Sequence, residues 1–263
     1  MTEESIWKRV ALGSEFGFGA MHYEYACGIS GGPLINEPDY DPISLVSSDT
    51  STSTLLTSTT EFLLHSTYAS SYRLLFRSRP RLRFGGCYIS TVNYTRAGGN
   101  TTNTLTWGAP VHVVTYFRYL RFFRDGSCIS LLTTSEPVDV VHHLTRSNLH
   151  AHHAAGSMLP SAVMKDALRG RWRLSSPDSS SSSLDSEERE GDLFIETEGV
   201  TPKYTYHLHL ALTHAGKGAR NNKLAWKGFW STHRITEDVG EFALRNDRAF
   251  YWSRVKSFGV KGE

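Results

Sequence analysis

Residues 116–132 read YFRYLRFFRDGSCISLL. Positions 116–124 hold five aromatics and three arginines, and Asp125-Gly126 follows directly. A strand with one wet face alternates cleanly between apolar and polar residues. Here one face carries Tyr116, Arg118, Leu120, Phe122 and Arg124, and the other carries Phe117, Tyr119, Arg121 and Phe123. Apolar and cationic groups are mixed on both. A closed barrel accounts for this: its interior can be partly polar and its exterior covered by another segment, so neither face need be uniform. The Asp-Gly pair predicts a hairpin joining this strand to a second one over 127–134.

Further strand patterns flank this hairpin. The run 81–96 is strand-like, with Gly85-Gly86 predicting a bulge or a sharp bend. More follow at 170–174, 191–198, 203–213, 223–235, 239–246 and 249–256. In 203–213 Tyr204, Tyr206, Leu208 and Leu210 alternate with Thr205, His207, His209 and Ala211. The last two are joined by Asn246-Asp247-Arg248, a connection suited to a hairpin. About eight or nine antiparallel strands without helical crossovers between most of them predict an up-and-down barrel or a sandwich, and the opening strand favours the barrel.

The remaining segments are of other kinds. EESIWKRVAL near the N-terminus predicts a short helix, and 60–80 predicts a second helix that Pro80 stops. The stretch 27–60 is rich in Gly, Pro, Ser, Thr and Asp and reads as a linker or insertion. Residues 137–169 read as a long connection with short helical turns. Residues 175–190, SSPDSSSSSLDSEERE, read as a disordered acidic-serine loop, or alternatively as a phosphorylatable one through Ser176-Pro177. The expected organisation is therefore a short N-terminal piece (1–26), a linker (27–60), and a helix plus barrel (61–258).

Composition narrows the function classes. The 263 residues carry a net charge of +2, which argues against a general nucleic-acid-binding surface. No apolar run is long enough to predict a membrane span, and the acidic N-terminus does not read as a signal peptide. Cys27, Cys87 and Cys128 are scattered and form no CxxC pair, which points to structural thiols in the cytosol or nucleus. No P-loop, dinucleotide fingerprint or nucleophile elbow occurs. His142, His143, His150, His152 and His153 read as a polar loop, and His207 and His209 as structural, so no metal is expected. THAGKGARNNK (213–223) reads as a basic hairpin turn. The arginines of the opening strand either reach out to water or line a cavity for an anionic or carbonyl-bearing ligand, with rings beneath them. Trp226, Trp230 and Trp252 are expected in the barrel core, or in part at its mouth.

RPRLRFGGCYIS (79–90), YFRYLRFFRDGSCISLLTTSEP (116–137), GRWRL (170–174), NNKLAWKGFWS (221–231) and FYWSRVKSF (250–258) together resemble the C-terminal domain of the family of F-box-only protein nine and the fungal Hrt-type F-box proteins. The likeness runs over about residues 72–258 in the same order. It implies a lipocalin-like β-barrel that recruits a protein for ubiquitination by an SCF (Skp1–cullin–F-box) ligase and marks it for proteasomal degradation. It implies no cofactor and no catalytic residue, and Skp1 and a cullin as partners. An F-box is expected to be largely missing here: Ile6 and Trp7 would be the remnant of its Skp1-binding end. Substrate contacts are expected from Arg118, Arg121 and Arg254 as polar anchors, with Tyr119, Trp226 and Trp230 as stacking walls. The competing expectation is a calycin-like carrier of a small hydrophobic ligand.

Overall fold

In the computed structural model, the opening stretch is a hairpin of β2 (Val111–Phe122) and β3 (Ser127–Thr133), paired from Phe117↔Thr133 to Phe122↔Cys128. The model describes residues 3–34, 59–97, 111–149, 162–176, 189–216 and 220–258. Most of the 27–60 linker, His150, His152 and His153, and most of the 175–190 loop lie outside the described residues. The hairpin turn spans 124–126: Phe123 donates to and accepts from its ends, through Phe123 N to Ser127 O (2.9 Å) and Gly126 N to Phe123 O (3.3 Å). Asp125 Oδ1 accepts from both the backbone and the hydroxyl of Ser127. Gly126 sits at φ +86°, and a Cβ there would lie 2.9 Å from that of Ala26, so glycine is required twice over.

Eight antiparallel strands close into a barrel. β1 (Gly86–Ala97), β2, β3, β4 (Leu168–Leu174), β5 (Asp192–Glu198), β6 (Tyr204–Thr213) and β7 (Lys223–His233) pair in chain order, and β9 (Phe250–Arg254) sits between β7 and β1. β6 and β7 shift register at His209/Leu210, which leaves Lys227 as the extra residue of a bulge. The Gly85-Gly86 pair marks the start of β1, where a side chain on Gly86 would strike the Ser253 carbonyl, 2.1 Å from the Cβ position.

β8 is only Val239–Glu241 and pairs with the far end of β7, not with β9. The expected hairpin across Asn246-Asp247-Arg248 does not form. Residues 242–248 instead run across the barrel mouth, where Phe242 stacks on Phe229 at 4.4 Å and Phe242 N donates to Phe229 O. That stack and the backbone bond beside it outweigh the local hairpin signal, although Phe242 stays 39% exposed.

The expected single helix over 60–80 is two. α2 covers 59–66 and α3 covers Tyr72–Ser78, with α1 (Glu3–Leu12) packed against α3. Ala69 and Ser70 take positive φ (48° and 56°), and Ser71 caps α3 by accepting from Leu74 N. Apolar spacing continues through this break, which is why periodicity joins the two pieces. Pro80 does end α3 as expected, and Arg79 is its C-cap.

Two hydrophobic cores share β1, β2 and β3. The inner one fills the lumen with Tyr88, Leu120, Phe122, Trp172, Ile195, Leu208, Leu210, Leu224 and Phe250, and continues into Met21, Leu75 and Leu82 at the end closed by the N-terminal segments. The outer one lies against the wall: Cys87, Tyr119, Phe123, Ile129 and Leu131 are covered by Val140, Leu144 and Met164 of the 137–167 connection and by Phe258. This connection holds the short helix α4 (Pro137–Val140) and several 3-10 turns. Each large side chain so enclosed contributes roughly 1.5–3 kcal/mol. The second half of β2, residues 117–122, is therefore covered on both faces. All three cysteines are buried and free, and burial pushes the Cys87 thiol up to about 12.

Candidate functional site

The arginines of β2 divide between the two covered faces. Arg118 points into the lumen beneath the mouth, with its guanidinium 5.3 Å from the Trp226 ring and 5.1 Å from Phe229. It pairs with Asp247 at 3.1 Å, and the two side chains are only 13% and 10% exposed. Burial lowers the Arg118 pKa, and Asp247 opposes that shift. Trp226 Nε1 donates to Arg248 O, and so does the Ser90 hydroxyl. The mouth is thus capped by 242–248, latched through the Arg118–Asp247 ion pair, these two side-chain hydrogen bonds, and backbone bonds from Phe242 N to Phe229 O and from Arg248 N to Thr91 O.

Arg121 and Tyr119 lie in the outer core. Arg121 is 3% exposed, lies over Phe123 and Phe258 at 4.5 and 3.5 Å, and donates to Leu144 O. Tyr119 is fully buried and donates to Ser135 O at 2.9 Å. A ligand reaches neither without lifting the connection above them. Trp230 is on the outer wall near the mouth, stacked on His207 at 5.6 Å. Of the six expected substrate contacts, only Arg118 and Trp226 are brought together.

The wall around Trp230 is polar. Arg171 Nη2 meets Glu196 at 2.7 Å, and Glu196 also faces His207. Asp192 gathers Lys227 (2.6 Å) and His209 (3.2 Å), and His209 stacks on Phe194 at 4.4 Å. Burial alone would raise Glu196, but hydrogen bonds from His207 and Arg171 and the charge of Arg171 outweigh it and hold the carboxyl at about 2. Asp192 is held below the usual range in the same way. The two histidines are therefore committed to carboxylates and rings. Among the described residues, no three of His, Cys, Asp and Glu are grouped to hold a metal.

The closed end carries the sixth expected contact, Arg254, which is exposed on β9. It borders a cavity of about 340 Å³ with Phe16, Arg81, Arg83, Phe84 and Trp252. Beside it, Arg79 is 1% exposed, pairs with Glu190 at 2.8 Å, donates to the Thr60 hydroxyl and lies over the Phe18 ring. Sequence reasoning missed Arg79, Arg81 and Arg83 as a group. The available signal was the run SRPRLRF, with an arginine at every second position and no acid within it. On α1, Ile6 is 48% exposed, and with Val10 and Phe16 it lines a groove of about 440 Å³. Trp7 turns to α3, where it meets Phe76 at 5.9 Å and lies under Arg73.

Residues 61–228 match the family model described as F-box only protein C-terminal region. The F-box protein pof7 of Schizosaccharomyces pombe is 31% identical over 196 residues, which are 74% of this chain and 48% of that protein. The F-box protein HRT3 of Saccharomyces cerevisiae is 32% identical over 194 residues, 73% of this chain and 47% of that protein. No solved structure gives a significant match. The chain spans about half the length of the curated relatives it matches. With the family model covering more than half of it, the chain belongs to the F-box only protein C-terminal region family.

Proposed function

We propose that this chain is the substrate-recognition domain of an SCF ubiquitin ligase, acting in the cytosol or nucleus to hold a protein for ubiquitin transfer and proteasomal degradation. Its membership of the F-box only family carries this reading. Ligase chemistry on this account resides in other subunits, and the domain itself contributes binding and no catalysis. Skp1 and a cullin would join through an F-box, and Ile6 and Trp7 of α1 would stand next to that junction. Arg254 and Trp230, both on the outer surface, remain the reachable members of the expected contact set. Arg118 and Trp226 would act indirectly, by holding the cap over the mouth.

The carrier reading is the weaker one. A hydrophobic ligand would need space in the lumen, and Tyr88, Trp172, Phe122 and Phe250 occupy it. The two readings are separated by co-purification of the chain alone and the chain placed behind an F-box. The ligase reading expects Skp1 and a cullin only with the F-box form, and one further protein common to both whose half-life lengthens when this domain is deleted. Tight uptake of a fluorescent fatty acid, with no change in any protein's half-life, would overturn it.

A further inference from the structure

Among the described residues, the cavity at the closed end is lined by three arginines and no carboxylate. Burial, together with the neighbouring charge of Arg83, lowers Arg81 to about 10. Arg81 spends its hydrogen bonds on the carbonyls of Phe76 and Phe16, and Arg83 donates to Arg220 O. Arg124 approaches from the β2–β3 turn, over the Phe84 ring at 5.3 Å, and donates to Glu15 O. Among the described residues, no carboxylate lies within ion-pair distance of Arg81, Arg83, Arg124 or Arg254. By contrast, Arg73, Arg79, Arg118, Arg146, Arg169 and Arg171 each meet an Asp or Glu.

A second observation points the same way. Trp252 Nε1 and Arg83 Nε belong to residues lining this cavity, and both are buried with no hydrogen-bond partner among the described residues. Buried donors are almost always satisfied, so both Nε atoms keep bonding capacity that an acceptor entering this cavity would use. The Arg83 guanidinium also lies over the Trp252 ring, 4.8 Å from its centroid, which orients both groups. Guanidinium groups match carboxylate and phosphate oxygens in pairs.

We propose that the cavity between Arg81, Arg83, Trp252 and Arg254 is an oxyanion-binding pocket that takes the carboxylate or phosphate group of a peptide. Phe16 and Phe84 supply apolar wall for the residue next to the anionic group, and about 340 Å³ accommodates the group together with a neighbouring side chain. That the peptide is ligase cargo rests on the function proposed above; the pocket's affinity for an oxyanion does not.

The test is titration of the full chain, followed by tryptophan fluorescence and calorimetry, with four probes. These are inorganic phosphate and three short peptides of one sequence carrying serine, glutamate or phosphoserine at the centre. Binding is expected for the glutamate or the phosphoserine peptide at least tenfold tighter than for the serine peptide, weakening steeply with added salt. The relative affinity of the two anionic peptides identifies carboxylate or phosphate as the group read. R254Q, at an exposed position, is expected to weaken binding about tenfold while leaving the melting temperature in place. R83Q is expected to do the same more strongly, and R245Q at the mouth to change nothing. Equal binding of all three peptides, unchanged affinity in R254Q, or failure of excess inorganic phosphate to compete with the bound anionic peptide would overturn the proposal. Failure of the ligase reading is seen separately, in the co-purification and half-life measurements.

Discussion

Replacing Arg118 by methionine removes a charge from the lumen while keeping most of the side chain's volume. Asp247 is then left 10% exposed beneath the mouth without its partner. Stranding one member of a buried ion pair costs about 3–5 kcal/mol, and residual solvent contact puts this pair at the lower end. Loss of the cation–π contacts with Trp226 and Phe229 adds about 1 kcal/mol. The expected total for R118M is therefore about 4 kcal/mol, or a fall in melting temperature of roughly 8–16 °C for a chain of this size. D247N should cost about 2 kcal/mol by itself, because its amide still accepts a hydrogen bond. The double variant R118M/D247N should be less destabilised than the sum of the two by at least about 1 kcal/mol, since no unpaired charge remains. Urea denaturation of the four proteins measures all of these terms. A loss below about 1 kcal/mol in R118M, or strict additivity in the double variant, would refute the claim that this pair latches the cap.

Three other outcomes follow from the same structure. Glu196 is held at about 2 against an ordinary 4.5, so its contribution is complete above pH 4.5 and is lost as pH falls from there toward 2; the loss is of the order of 2–3 kcal/mol and should be largely absent in E196Q, measured by thermal melts across that window. Arg121→Glu should release the 137–149 connection or prevent folding, at a cost above about 4 kcal/mol for an unpaired buried carboxylate, whereas Arg254→Glu should melt as the unaltered protein does; limited proteolysis reads the difference. Gly126→Ala should destabilise by about 1–3 kcal/mol, because alanine is strained at φ +86° and its methyl meets Ala26; chemical denaturation checks it.

The barrel was legible because its signal is local. β2 and β3 announce themselves through Asp125-Gly126, and β6 through its strict alternation, and each strand pairs mostly with its chain neighbour. The mixed faces of β2 also carried real information, since a strand covered on both sides cannot show a simple alternation. What failed to show were features decided by distant contacts. The break at Ala69-Ser70 lies inside an unbroken apolar spacing. β9 pairs with β1, far away in sequence, and nothing in Asn246-Asp247-Arg248 marks a strap rather than a turn. The site residues suffered most. Arg118 and Arg121 stand three apart on one strand yet belong to different cores, and one Arg symbol gives no hint which is paired to Asp247 and which lies beneath Phe258. Arg81 and Arg83 were passed over because an unmatched charge is recognised only once its surroundings are known.

β9 gives the barrel a consequence in time. It supplies the contact between β1 and β7, with Tyr88↔Trp252 on one side and Leu224↔Phe250 on the other. During synthesis the first seven strands can form only an open, curled sheet, because the piece that joins its margins emerges last. Until residues 250–254 leave the ribosome, β1 and the start of β7 each present unpaired backbone groups, a form prone to pairing with other chains. A nascent chain cut short ahead of residue 250 would therefore keep nearly all of its lumen side chains and still have no closed surface around them.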